Sequence, residues 1–387
     1  MSNDNNSSQN WKLTFNRLLN RLSIENRYRC AAGIPGPLLE MRSGTLPKNI
    51  AHGNKTSDFT TLIADVTGLE YGKLRKYAKK IADEYSFIRT LRKYNAIAFD
   101  LRSRLILVED YIKAFIRRLR GFSINSNPIN KNKIREIRLH IHDQIINIAY
   151  PSNFVSLGLL WEIFVEEVYY LESSVERIYD LGANIGLSAV YFHLLNPSAE
   201  LVCIEPLEEN LHILERNLHN NDIPARLIPA VVSNTEGQAN LFFSDQSHAL
   251  PSLYIKQSKA RKISVLPFDK IINGTGYGLK IDIESAEGSL IAFPSIIENS
   301  AWIVGELHYS GDIKRDSLVD AFFDIVKSNF VIKKSRPIIY FVGDEVVLCE
   351  TFKTLKKIKN PPNVSFIQGS KIMRQKAISP PKRESFC

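Results

Sequence analysis

The run Tyr179-Asp180-Leu181-Gly182-Ala183-Asn184-Ile185-Gly186-Leu187-Ser188 constrains this chain more than any other. An apolar strand over residues 177–181 turns through two glycines into a helix over residues 186–195. The alternation then repeats. A strand over 201–204 leads to a helix over 208–220, and a strand over 226–229 follows. A strand over 278–283 leads to a short helix from Ala286, and a strand over 301–307 leads to a helix over 316–328. Segments 330–333 and 338–348 supply the last strands. Strands separated by helices pair in parallel through crossovers, so the pattern predicts an α/β fold with a doubly wound, Rossmann-like sheet. Upstream, residues 134–141 and 145–148 alternate as a hairpin, and residues 154–171 read as an amphipathic helix broken near Gly158. Over residues 11–30 and 58–122 the apolar spacing is helical, with a Gly/Pro/Asn-rich linker over 31–56 between them, which predicts an N-terminal all-helical extension.

At 387 residues the chain exceeds one minimal domain. Composition shifts divide it into a leader and linker (1–56), a basic helical module (57–134), the α/β domain (135–350) and a basic tail (351–387). The net charge of +9 is unevenly spread. Residues 1–150 carry 26 Lys/Arg against 13 Asp/Glu, residues 151–350 carry 15 against 27, and residues 351–387 carry 9 against 1. An acidic middle argues against a nucleic-acid channel there, while the basic ends suit an anionic partner. No apolar run is long enough for a transmembrane segment, and the polar N-terminus lacks a signal-peptide core. The four cysteines show no metal-type spacing, and the expected location is cytoplasmic.

Chemistry is carried by four motifs at predicted strand ends. Gly182 and Gly186 clear space where a ligand meets the backbone, at the carboxyl end of the first central strand. The turn is not the dinucleotide fingerprint, because Asn184 and Leu187 stand where that pattern needs glycine. Glu205 follows Gly182 by 23 residues, the distance at which an acid meets ribose hydroxyls. The site wants a ligand with a ribose, an amino-acid-like end and no pyrophosphate, which S-adenosylmethionine fits, and Asp180 offers acceptors to a cationic or ammonium-bearing group. The run Lys280-Ile281-Asp282-Ile283-Glu284-Ser285-Ala286-Glu287 ends a strand in three acids. Three neighbouring anions repel one another unless a cation or proton intervenes. The run Gly305-Glu306-Leu307-His308 closes the next strand at the crevice edge, with His308 a candidate general base.

Taken together, these motifs resemble FkbM-type S-adenosylmethionine-dependent methyltransferases over residues about 135–345. The matching pieces are residues 180–186, Cys203-Ile204-Glu205-Pro206, residues 217–221, Ala230 with residues 233–237, residues 280–287 and Glu306-Leu307-His308. Ser285 stands where the family pattern has glycine, and Leu266-Pro267-Phe268-Asp269 where it has a Thr-Leu-Asp run. The resemblance implies that Asp180, Gly182, Asn184, Gly186 and Glu205 hold the cofactor and that Asp282 meets its methionine end. It further implies that Glu284, Glu306 and His308 are catalytic, with Glu287 also lining the acceptor side. The expected reaction is O-methylation of a hydroxyl on a sugar, glycan or other small molecule. A metal-free site is expected, ahead of a variant in which Asp282, Glu284 and Glu306 hold Mg²⁺. Two other functions compete: a nucleic-acid methyltransferase gripping through the basic flanks, and a non-catalytic docking protein that kept the fold.

Overall fold

A computed structural model describes residues 89–119, 134–244, 247–284, 286–334, 338–342 and 345–359. The expected leader and linker and the end of the basic tail lie outside these residues, as does most of the helical module. Among the described residues no helix is long and apolar enough to cross a membrane.

The strands, in chain order, begin with β1 (Ile134–Ile141) and β2 (Gln144–Pro151), a hairpin. Then come β3 (Arg177–Leu181), β4 (Glu200–Ile204) and β5 (Ala225–Ile228). A small group follows: β6 (Val231–Ser233), β7 (Gly237–Ser244), β8 (Ser247–Ser252) and β9 (Lys259–Pro267). The last are β10 (Tyr277–Ile281), β11 (Ser300–Tyr309), β12 (Phe330–Lys334), β13 (Ile338–Val342) and β14 (Glu345–Lys357). The main sheet runs β12-β14-β11-β10-β3-β4-β5, with β13 paired to β14. Strands β11, β10, β3, β4 and β5 are parallel, and β14 joins antiparallel to both β11 and β12. Chain order reverses at β3, with β4 on one side and β10 on the other. This switch point opens a crevice beyond the strand ends.

Helices cover both faces. On one face, α1 (Leu101–Leu119), α2 (Phe154–Phe164), α3 (Leu187–Leu195) and α4 (Glu208–His219) enclose a core with the hairpin: Tyr94, Tyr111, Tyr150, Trp161, Phe192 and Trp302 are buried there together. On the other face lie α5 (Phe268–Ile271), α6 (Pro294–Asn299) and α7 (Ile313–Asn329), where Phe268, Ile297, Phe322 and Phe352 form the second core. Capping fixes two of the helix starts. The Asn153 side chain accepts from the Ser156 amide at the head of α2, and Asp312 accepts from the Lys314 and Arg315 amides at the head of α7. Asn217 of α4 ties the hairpin to the cofactor-side turn. Its Oδ1 accepts from the Ala149 amide, while Nδ2 donates to the carbonyls of Ala149 and Ile185.

Four expectations are corrected. The boundary at 134 does not divide the packing, because Tyr94, Ala98, Leu107 and Tyr111 share one core with β1, β2 and α2. The tail does not begin at 351. Strand β14 continues to Lys357, with Phe352 and Thr354 buried, Lys353 half-buried between them, and Lys356 and Lys357 exposed. Helix α2 is unbroken at Gly158 and stops at Phe164. Residues 231–267, to which the sequence pattern assigned no element, fold into a second sheet of order β6-β9-β7-β8.

Candidate active site

The turn after β3 is built by hydrogen bonds. The Gly182 and Ala183 amides donate to the Ile204 carbonyl, and the Asn184 amide donates to Glu205 Oε2 at 3.0 Å. Gly182, Asn184 and Gly186 have φ values of 79°, 51° and 83°. A Cβ on Gly182 would lie 1.9 Å from the Asp282 carbonyl oxygen, so only glycine lets the turn lie against the end of β10. Asparagine tolerates the left-handed region better than most residues, which suits Asn184. Gly186 then caps α3.

Glu205 sits across the turn and is only 2% exposed. Its Oε1 accepts from the Leu207 amide at 2.9 Å and from Asn210 Nδ2 at 3.1 Å. Burial pushes its carboxyl up to about 7, against the pull of those hydrogen bonds and of Lys280. A carboxylate offers about four lone-pair sites, so Oε2 keeps room for a ligand hydroxyl. Gly182, Asn184 and Glu205 line a cleft together with Asp282, Ile283 and Glu284. Its wall is apolar, from Ile204, Val231, Val232, Leu241 and Leu253.

Asp180 lies beneath the turn and has no exposed surface. Its Oδ2 accepts from Ser188 Oγ at 2.6 Å, and its Oδ1 is 3.2 Å from Lys280 Nζ. It holds the turn from behind and is not among the residues lining the cleft. Lys280 is the centre of this arrangement. Its buried ammonium donates to the Gly182 carbonyl at 2.5 Å and the Leu181 carbonyl at 3.3 Å, and lies 3.4 Å from Asp282 Oδ2. Burial works against its charge, but Asp180, Asp282 and Glu306 outweigh that and hold it above the ordinary lysine value.

Beyond Lys280 stand the acids expected on the acceptor side. Asp282, Glu284 and Glu306 keep 22%, 14% and 17% of their side chains exposed, whereas His308 keeps none. His308 Nε2 is 3.5 Å from Glu306, 3.7 Å from Glu284 and 4.0 Å from Asp282, and Nδ1 is 2.7 Å from Glu287. The imidazole therefore backs the carboxylates instead of reaching the cleft itself. Glu287, with no exposed surface, lies deeper still and does not line the acceptor side as the resemblance implied. Burial raises Glu284 to about 8, helped by Asp282, Glu306 and Glu287 and opposed by His308. Burial also raises Asp282 to about 6 against Lys280. Glu306 falls below its usual value: burial opposes this, but the His308 bond, the Cys349 thiol and Lys280 prevail. Glu284 adopts a φ of 50°, a strained conformation for a residue with a Cβ, of the kind that gathers at functional sites.

Ligand atoms of Asp282, Glu284 and His308 lie within 4.8 Å of one another, as do those of Glu306, His308 and Cys349. Sequence reasoning missed the roles of Cys349 and Glu162, and it offered Lys280 only as one candidate cation beside the strand-end acids. Lys280 carried a signal, a lone cation inside an apolar strand. So did Glu162, an acid interrupting an apolar helix. Burial pushes Glu162 well above its usual value, and Glu306 and Asp282 push the same way.

These shifts set a pH dependence of stability. Asp282, Glu205 and Glu284 all titrate higher folded than unfolded, so between about pH 4 and about pH 8 the folded chain binds the extra protons. Stability from these groups is present at low pH and is lost as pH rises through the folded values. The thermal midpoint of the ligand-free protein should fall from about pH 5 to about pH 8. A midpoint that rises over that window would contradict these assignments.

A doubly wound sheet with a glycine turn at its switch point and an acid closing the next strand defines a nucleoside-cofactor enzyme fold. Residues 180–328 match the family model of the methyltransferase FkbM domain. That family is S-adenosylmethionine-dependent. The lining suits the chemistry of such a cofactor: apolar side chains stand beside the carboxyls of Glu205, Asp282 and Glu284. No curated protein matches the chain. Among solved structures, the chain is similar to methyltransferase FkbM from Methylobacillus flagellatus KT, at 15% identity and a TM-score of 0.33, over 70% of this chain and 60% of that one. It is also similar to a Pyrococcus abyssi tRNA (uracil-54, C5)-methyltransferase in complex with S-adenosyl-L-homocysteine, at 11% identity and a TM-score of 0.30, over 56% and 44%. A third is a putative O-methyltransferase from Klebsiella pneumoniae, at 11% identity and a TM-score of 0.28, over 51% and 78%.

Proposed function

We propose that this protein transfers a methyl group from S-adenosylmethionine to a hydroxyl oxygen of a sugar, glycan or other small-molecule acceptor. The observation that carries the reading is that Glu205, Asp282 and Glu284 line one cleft, with Glu306 joined to Glu284 through His308 Nε2. The cofactor supplies an electrophilic methyl on a sulfonium. Asp180, Gly182, Asn184, Gly186 and Glu205 shape and hold its site, and Asp282 faces its methionine end. Displacement at a methyl carbon is governed by alignment, which a fixed turn and a fixed acid wall provide.

An alcohol must also lose its proton. Glu306, held below its usual value and 17% exposed, is the ionised carboxylate of the cluster that can accept it. The proton can pass from there to His308 Nε2. The oxygen–methyl bond forms as the methyl–sulfur bond breaks, and the bonding pair stays on sulfur. An acidic acceptor wall repels phosphate, which disfavours a nucleic-acid substrate. A metal-assisted variant draws support from the clustered ligand atoms of Asp282, Glu284 and His308. The metal-free reading ranks ahead of it, because Lys280 and the proton held by Glu284 already relieve part of the repulsion.

Calorimetric titration with S-adenosylhomocysteine tests the reading, on the wild type and on Glu205→Ala. Micromolar binding that the substitution weakens at least tenfold, about 1.4 kcal/mol, is expected. Absence of binding to the folded wild type would sink the methyltransferase reading and favour the docking protein.

A further inference from the structure

We propose that Glu287 is a positioning residue: it fixes the protonated nitrogen of His308, so that Nε2 is presented to the acids of the acceptor side. The inference takes its purpose from the methyl-transfer reading above, while its geometry stands apart from it.

The two side chains meet at 2.7 Å, and neither has exposed surface. Glu287 opens the 3-10 helix Glu287–Ala292, and its Oε1 also accepts from the Ile283 amide at 3.3 Å. The carboxylate is thereby tied to the strand end that carries Asp282 and Glu284. His308 lies in β11, held between β10 and β14. Neither partner has freedom to turn away.

An ionised carboxylate only accepts hydrogen bonds, and a neutral imidazole carries its proton on one nitrogen. Contact with Glu287 therefore places that proton on Nδ1. Nε2 is left to exchange a proton with the acids before it: Glu306 at 3.5 Å, Glu284 at 3.7 Å and Asp282 at 4.0 Å. Cys349 on β14, Glu162 on α2, Lys280 on β10, Tyr169 and Tyr254 also face this cluster. A fixed negative charge behind the ring also stabilises the imidazolium, which increases the proton affinity of Nε2. Packing alone does not account for the pair, because a buried ion pair is commonly no more stabilising than apolar side chains of the same volume.

The test is ring-nitrogen NMR of the full chain labelled with ¹⁵N-histidine, recorded from about pH 5 to about pH 9. His308→Gln assigns the signal by its loss. The wild type should carry a proton on Nδ1 throughout. Glu287→Gln keeps the shape and an acceptor oxygen but removes the charge, and should lower the titration midpoint of Nε2 by about one pH unit or more. Glu287→Asp should move it back toward the wild type. A wild-type His308 protonated on Nε2 alone would overturn the proposal, and that result needs no variant to fold. An unchanged midpoint in Glu287→Gln would overturn it equally. Titration of the same samples with S-adenosylhomocysteine reports separately on the methyltransferase reading, whose failure would leave the nitrogen spectra to decide this one.

Discussion

Lys280→Met should cost about 3–5 kcal/mol of folding stability, measured by urea unfolding, because it leaves buried carboxylates without their cation. Asp180 has no exposed surface and Lys280 is 3.2 Å from it. Removing the ammonium leaves Asp180 with the Ser188 hydroxyl, and it strips the Leu181 and Gly182 carbonyls of a donor. Methionine fills similar volume, so the loss is electrostatic and not a cavity. A total stability of about 5–15 kcal/mol makes this a large fraction. Adding Asp180→Asn should recover part of the loss, and the double-mutant cycle then measures the pair directly. If Lys280→Met stays within about 1 kcal/mol of the wild type, the ammonium is not what holds the turn.

Gly182→Ala should abolish binding of S-adenosylhomocysteine, with a loss of about a hundredfold or more by calorimetry, equal to about 2.7 kcal/mol. Two costs combine. The left-handed conformation, φ 79°, costs a residue with a Cβ about 1–2 kcal/mol. The new methyl would also meet the Asp282 carbonyl oxygen at 1.9 Å, far inside contact distance, so turn and strand end must separate. Gly274→Ala is the control: its φ is 83°, and nothing lies within 4 Å of the added carbon. It should pay the conformational cost alone and leave binding intact. Equal binding by both variants would show that the close approach to β10 does not shape the cleft.

The main sheet was legible because its strands are buried on both faces and read as apolar runs: Arg177–Leu181, Glu200–Ile204 and Tyr277–Ile281 are nearly continuous. Strand β9 was not legible. It alternates exposed and half-buried residues along most of its length, so no apolar run marks it. Strand β14 was lost in part because Lys353, Lys356 and Lys357 look like tail chemistry, although Phe352 and Thr354 point inward. At the site, the turn glycines and Glu205 could be named from spacing. What spacing could not show was depth. Sequence placed His308 and Glu306 at one strand end, but residues two apart share a face without sharing exposure, and only packing against Glu287 sets His308 behind the acids. Lys280 was visible as a residue and invisible as a junction, since its partners come from two neighbouring strands.

The span matched to the family begins at residue 180, yet one face of the sheet is closed by earlier residues. Tyr94, Tyr111, Ile148, Tyr150 and Trp161 complete the core over α3, and Asn217 joins the hairpin to the turn through the Ala149 and Ile185 backbone. A fragment trimmed to the matched span would bare that helix face to water and leave the Asn217 side chain with one of these three hydrogen bonds. The stretch that comparison can recognise is thus shorter than the stretch that must fold together. Inheritance of a pattern and autonomy of folding are here drawn at different points along the chain.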